Sequence, residues 1–299
     1  MDNILSLIAN PKAAAASDEV VAQAAHALQG AGARVGAAVR LAPKIAVDLP
    51  FAAAEPRAAR EAVAAVLGQH PLDVNVLPAQ GRRKMLLVAD MDSTIITCEC
   101  LDEIAGLLGL KDQVSAITER AMRGELAFEP ALRERVALLE GLPEARLEEV
   151  YRARVHLTPG ARTLLATMRA HGAHTVLVSG GFTFFTEKVA HAAGFDVHHG
   201  NVLLVENGKL TGKVAEPILG KEAKLATLLG AREKRGLGAD ATLAVGDGAN
   251  DLAMIEEAGL GVAFHAKPVV AAAAGARIDH GDLTALLYLQ GYAAADFKD

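Results

Sequence analysis

The stretch MLLVADMDST occupies residues 85–94, and its first five residues form an apolar run of strand length that stops abruptly at Asp90. Two other runs end in the same way. Thr175 to Val178 stops at Ser179, Gly180 and Gly181, and Thr242 to Val245 stops at Gly246 and Asp247. Uninterrupted apolar runs are what strands buried on both faces require, and the helical stretches between them indicate an α/β fold with a doubly wound parallel sheet. Ligands of such open sheets bind beyond the carboxyl ends of the strands, so the three polar stops should converge on one edge.

Upstream the grammar differs. Asn3 to Ala9 reads as a strand, Asp18 to Gln29 as a helix, Ala33 to Leu49 as apolar runs broken near Pro43, Pro56 to Leu67 as a second helix and Leu72 to Leu77 as a last strand. The order β-α-β-β-α-β suits a small ferredoxin-like α+β domain over residues 1–80, with the basic stretch Gly81 to Lys84 as linker and the larger domain over residues 84–299. Between Cys98 and Leu157 the apolar positions recur at helical spacing, as at Leu132, Val136 and Leu139, so about 98–157 reads as an inserted helical cap. Asn207 and Gly208 between two short apolar runs signal a hairpin flap.

Composition excludes several classes. With 299 residues, 52% hydrophobic and 22% charged, the chain has ample material for a packed core. A net charge of −6 argues against nucleic acid as the main partner. The two cysteines, Cys98 and Cys100, are too close in sequence to staple distant segments and lack the further ligands of a zinc site, so packing is the expected role. Neither a signal peptide nor a membrane span is read, which makes the cytoplasm the default location.

The chemistry is carried by Asp90 and Asp92. Two carboxylates at i and i+2 on an extended chain project to the same side and repel unless a cation or a shared proton compensates. Asp247, helped by Asp251, sits in GDGAND at residues 246–251 and ends another strand of the same sheet. An all-oxygen set of this kind, completed by a phosphate, suits Mg2+. GDGAND departs from the dinucleotide-binding G-x-G-x-x-G pattern and has no P-loop lysine, so nucleotide binding is discarded.

DMDST after one strand, Ser179-Gly180 after a second, Lys221 downstream and GDGAND after a third resemble the motifs of the haloacid dehalogenase superfamily in its phosphatase form, from Met85 to about Phe264. Within it, Glu99, Met122, Phe128 and LRERV at residues 132–136 resemble the phosphoserine phosphatase group. The resemblance implies that Asp90 is the nucleophile that forms an aspartyl phosphate and that Asp92 is the general acid and base. It implies that Ser179, Gly180 and Lys221 bind the phosphoryl group, with Lys224 a rival one turn later and Lys221→Ala expected to be the more damaging change. Magnesium would sit on Asp90, Asp247 and the main-chain carbonyl of Asp92, with Asp251 and Asn250 as supporting neighbours at the metal and substrate sides. Glu99 and Arg135 would take the ammonium and carboxylate of phosphoserine, and Met122 and Phe128 would cover the site.

Two other functions fit the same residues. The aspartyl phosphate could pass to another hydroxyl, such as that of homoserine, or the phosphatase-like part could be a scaffold for an amino-acid sensor. The first domain resembles ACT-type amino-acid-binding modules, and homodimer formation is its other expected use.

Overall fold

The computed structural model describes residues 1–122 and 125–299, excluding the side chain of Met122. Its first domain comprises β1 (Asn3–Ala9), α1 (Asp18–Gly30), β2 (Arg34–Val35), β3 (Val39–Ala42), β4 (Ala46–Ala52), α2 (Pro56–Leu67) and β5 (Leu72–Pro78). Both helices start where local chemistry dictates. The Ser17 hydroxyl accepts from the N–H of Val20, and the Glu55 carboxylate accepts from Arg57 and Ala58 just ahead of Pro56, satisfying donors that an α-helix leaves open. The sheet runs β2-β4-β1-β5, with β3 also on β4, and its pairings are antiparallel. The break near Pro43 is the turn between β3 and β4, where Lys44 has a φ of 57°. Leu5, Leu7, Leu28, Phe51 and Val63 fill the core under the two helices.

The second sheet begins with β6 (Leu86–Ala89), all four residues buried. The cap follows as α3 (Cys100–Leu107), α4 (Lys111–Met122), α5 (Phe128–Ala137) and α6 (Ala145–Arg154). Its two stems are tied together at the neck: Thr97 N–H donates to His156 at 3.0 Å, and Thr158 N–H donates to Ile95 at 2.9 Å. The chain then forms α7 (Ala161–Ala170), β7 (His174–Phe182), α8 (Thr183–Ala193) and β8 (Val197–Asn201). The flap is β9 (Leu203–Glu206) with β10 (Lys209–Val214), joined by Asn207 and Gly208 at φ 50° and 73°, the backbone that a tight hairpin needs. Last come α9 (Lys221–Lys234), β11 (Thr242–Gly246), α10 (Leu252–Glu257), β12 (Leu260–Phe264), α11 (Pro268–Ala273), β13 (Ala276–Ile278) and α12 (Ala285–Leu289).

The strand order is β13-β12-β11-β6-β7-β8, parallel throughout. Ala89 stands level with Val245 on one side and Leu177 on the other, so Asp90, Asp247 and Ser179 emerge at one edge of three adjacent strands. One boundary differs from the sequence reading: β7 continues through Ser179, Gly180 and Gly181 to pair Phe182 with Asn201, after an irregularity past Val178. Partner strand β8 supplies what the glycines lack in propensity. Among the described residues no helix is long and apolar enough to cross a membrane.

The first domain docks through side chains of β5. The Asn75 amide donates to the carbonyl of Arg277 at 2.9 Å and accepts from its N–H at 2.8 Å, while Asp73 accepts from the N–H groups of Asp279, His280 and Gly281. Arg82 in the linker donates to Asp48 of β4 and to the carbonyls of Tyr288 and Leu289.

Candidate active site

Asp90 closes β6 and is 5% exposed. Its Oδ1 accepts from the N–H of Met91 at 2.8 Å and lies 2.7 Å from Nζ of Lys224. The same ammonium donates to Oδ1 of Asp251 at 2.6 Å, with all three side chains buried. Burial alone would lower the Lys224 pKa, but Asp90 and Asp251 outweigh it and the net shift is upward, so the lysine stays charged. Asp251 also accepts from the N–H of Gly248 at 3.1 Å. A Cβ at position 246 would lie 2.3 Å from its Cγ, so the strand end must be glycine for this carboxylate to fit.

The lysine expectation is therefore corrected. Lys221 stands at the first residue of α9 with its side chain 70% exposed, 3.9 Å from Glu222, and does not reach the cleft floor. Lys224 shares the buried face of α9 with Leu228, four residues on. The spacing alone does not separate the two lysines, because Lys221 has Leu225 four residues on.

Asp92 lies in the irregular turn after β6, where Ser93 takes a φ of 54°. Its Oδ1 accepts from the N–H of Cys100 at 2.9 Å and its Oδ2 from the hydroxyl of Ser179 at 3.0 Å. Burial, then the charges of Glu99 and Asp90, push Asp92 up to about 7. Burial and Asp90 likewise raise Asp251 to about 7, and burial, Asp90 and Glu99 raise Asp247 to about 6. Burial is the largest cause in each, and the charge of Asp90 adds to all three. Carboxylate oxygens of Asp90, Asp247 and Asp251 lie within 4.8 Å of one another, an all-oxygen set of the kind that holds a hard divalent cation. Both oxygens of Asp251 are engaged, Oδ1 by Lys224 and Oδ2 by Gly248, whereas Asp90 makes its two contacts through Oδ1, which leaves Oδ2 of Asp90 and the carboxylate of Asp247 the freer ligands.

Above this floor is a cleft of about 430 Å³ whose walls include Asp90, Asp92, Glu99, Phe128, Arg135, Ser179, Gly180, Asp247 and Asn250. Glu99 accepts from the Ser93 hydroxyl at 2.7 Å, and Arg135, which lines the cleft with Glu99 and Asp102, donates through Nε to the carbonyl of Ala131. Phe128 lies over the glycines, since a Cβ on Gly180 would come 3.1 Å from its Cζ. The expected cover by Met122 falls on a side chain outside the described residues. Cys98 and Cys100 are free thiols, Cys100 buried.

The sequence reading did not single out Asn201, Asp102 or Lys267. Asn201 is 2% exposed; its amide donates to the carbonyls of Gly180 and Leu219 and accepts from the N–H of Leu219, joining β7 to the segment before α9. Its role depends on partners 18 to 21 residues away, so no local signal marked it. Asp102 and Lys267 line the cleft.

With carboxylates after two strands, a serine on a third, a buried lysine and an inserted cap, the chain belongs to the haloacid dehalogenase-like hydrolase family, whose model matches residues 87–256. It is 47% identical over 209 residues to a protein from Albidiferax ferrireducens named phosphoserine phosphatase, covering 68% of this chain and 88% of the relative. A Streptomyces coelicolor protein of the same name is 38% identical over 293 residues, covering 97% of this chain and 70% of the relative. Among solved structures, a probable phosphoserine phosphatase from Vibrio cholerae superposes with a TM-score of 0.80 at 31% identity, covering 99% of this chain and 88% of that one.

Proposed function

We propose that this chain hydrolyses O-phospho-L-serine to L-serine and phosphate through an aspartyl phosphate on Asp90. A carboxylate oxygen of Asp90 attacks phosphorus, the P–O bond to serine breaks, and the departing Oγ takes the proton of Asp92. Asp92 then removes a proton from water, which attacks phosphorus and releases phosphate and the Asp90 carboxylate. One observation carries the reading: a carboxyl group raised to about 7 lies two residues from a buried carboxylate ion-paired with lysine, an acid held ready beside a nucleophile held in place.

Ser179 and the N–H of Gly180 bind phosphoryl oxygens, and Lys224 keeps the nucleophile oriented while offsetting the negative charge of the phosphoryl group. Asp90, Asp247 and the main-chain carbonyl of Asp92 would hold magnesium, with Asp251 behind them, and the ion supplies further charge neutralisation when bound. On the cap side Glu99 takes the substrate ammonium and Arg135 its carboxylate, a two-point match to the amino-acid part. The names carried by the relatives agree with this substrate.

The test is phosphate release from a panel of phosphomonoesters, with and without magnesium, for wild type and Asp90→Asn. Magnesium-dependent release fastest from phosphoserine and absent in Asp90→Asn is the expected result. Faster release from a sugar phosphate would overturn the substrate, and activity retained by Asp90→Asn would overturn the covalent route.

A further inference from the structure

The cleft is acidic for one that admits a phosphate dianion. Asp90, Asp92, Glu99, Asp102 and Asp247 all line it, and among the described residues the cations on its walls are Arg135 and Lys267. Lys224 is sealed below the floor, its side chain 3% exposed and shared between two carboxylates. Arg135 belongs to α5 of the cap, where the amino-acid end of the substrate is expected. Lys267 is thus the open cation that the core domain presents to the cavity.

Its main chain is anchored on both sides. The N–H of Lys267 donates to the carbonyl of Asp247 at 3.0 Å, and its own carbonyl accepts from Val270 and Ala271 in the first turn of α11. Pro268 follows and holds Lys267 in the extended conformation, φ −60° and ψ 148°. The side chain beyond this anchored base is exposed and, among the described residues, forms no ion pair, so its ammonium is available to a ligand. Topology sets the direction of approach. Ser179 reaches the cleft from β7, on one side of β6, and Lys267 follows β12, beyond β11 on the other.

Building on the proposed phosphatase reaction, we infer that Lys267 captures the phosphoryl group: its Nζ binds a non-bridging oxygen of the incoming ester, and of the phosphate product, from the side opposite Ser179. The contact is made alike by substrate and product, so it acts on binding more than on the chemical step.

The experiment uses the full-length, magnesium-loaded protein and its Lys267→Met and Lys267→Arg variants, with inorganic phosphate as the direct binding probe in calorimetry and phosphoserine in kinetics. A charge-assisted hydrogen bond lost at a partly open site corresponds to roughly a tenfold effect. In Lys267→Met the Kd for phosphate and the KM for phosphoserine are expected to rise by about that factor together, with kcat within about threefold of wild type. Lys267→Arg should recover most of the loss, and inhibition by L-serine, which lacks the phosphate, should be unchanged. Phosphate binding within about twofold of wild type in Lys267→Met overturns the inference, as does an equal loss of L-serine inhibition, which would mark general damage to the cleft. Failure of wild type to turn over phosphoserine would count against the substrate assignment alone, because phosphate binding still reports on Lys267.

Discussion

Replacing Lys224 separates a lysine that builds the site from one that decorates the surface. Its ammonium lies 2.7 Å from Asp90 and 2.6 Å from Asp251, and the residue is 2% exposed. Removing one partner of a buried ion pair costs roughly 3–5 kcal/mol, because the carboxylates left behind are neither paired nor hydrated. Removing a charge-stabilising donor from a transition state costs about 10²–10³ in kcat. Lys224→Ala and the stem-preserving Lys224→Met are therefore both expected to lose at least a hundredfold in kcat on phosphoserine and to shift the urea midpoint downward. Lys221→Ala removes a side chain that is 70% exposed, so it should change stability by no more than about 0.5 kcal/mol and activity by less than about threefold. The assay is magnesium-dependent phosphate release at saturating substrate, paired with urea unfolding. A hundredfold loss in Lys221→Ala, with Lys224→Met retaining near wild-type activity, would refute the reasoning.

Three further outcomes are expected. Asp92, Asp251 and Asp247 have folded pKa values of about 7, 7 and 6, against 3.8 for the unfolded chain, so their contribution to metal-free stability is fully present below about pH 4 and lost as pH rises through about 6 to 7. Magnesium takes the place of those protons, so the gain in Tm on adding it should be larger near pH 8 than near pH 5.5; an equal gain at both would contradict the assignment. Arg135→Lys should lower kcat/KM for phosphoserine about tenfold or more, since lysine cannot form the two parallel bonds to a carboxylate, while p-nitrophenyl phosphate, which has no carboxylate, should be hydrolysed at nearly the wild-type rate. Gly180→Ala places a methyl group 3.1 Å from the Phe128 ring, so it should raise KM, and Phe128→Leu in the same chain should recover part of the loss; no recovery in the double variant would show that Phe128 does not press on the glycines.

The parts of the fold legible in the sequence were those whose energetics are local. Leu86 to Ala89 and Thr242 to Gly246 are apolar because both faces of their strands are covered, and the first polar residue after each marks the site edge. The first domain's helices were legible over Asp18 to Gln29 and Pro56 to Leu67, and in the structure Ser17 and Glu55 cap them. What escaped was set by distant partners. Ser179 to Gly181 continue as strand because β8 pairs with the chain beyond them, and Asn201 acts on residues far from it in sequence. Lys221 and Lys224 have the same chemistry about one turn apart, each with a leucine four residues on; the one that turns inward meets Asp90 and Asp251, which are distant in sequence. Asp73 and Asn75 carry no local sign that another domain buries them to 3% and 0% exposure.

The amide of Asn75 occupies both the donor and the acceptor that Arg277 turns away from β12, in the manner of a neighbouring strand's peptide group. One margin of the catalytic sheet is thereby closed to strand addition, and Asp73 extends the closure over the residues that follow. An unprotected sheet margin is a template for aggregation, so the small domain acts as a guard rail for the larger one. Any growth of this sheet by pairing with another chain is confined to the opposite margin, at β8.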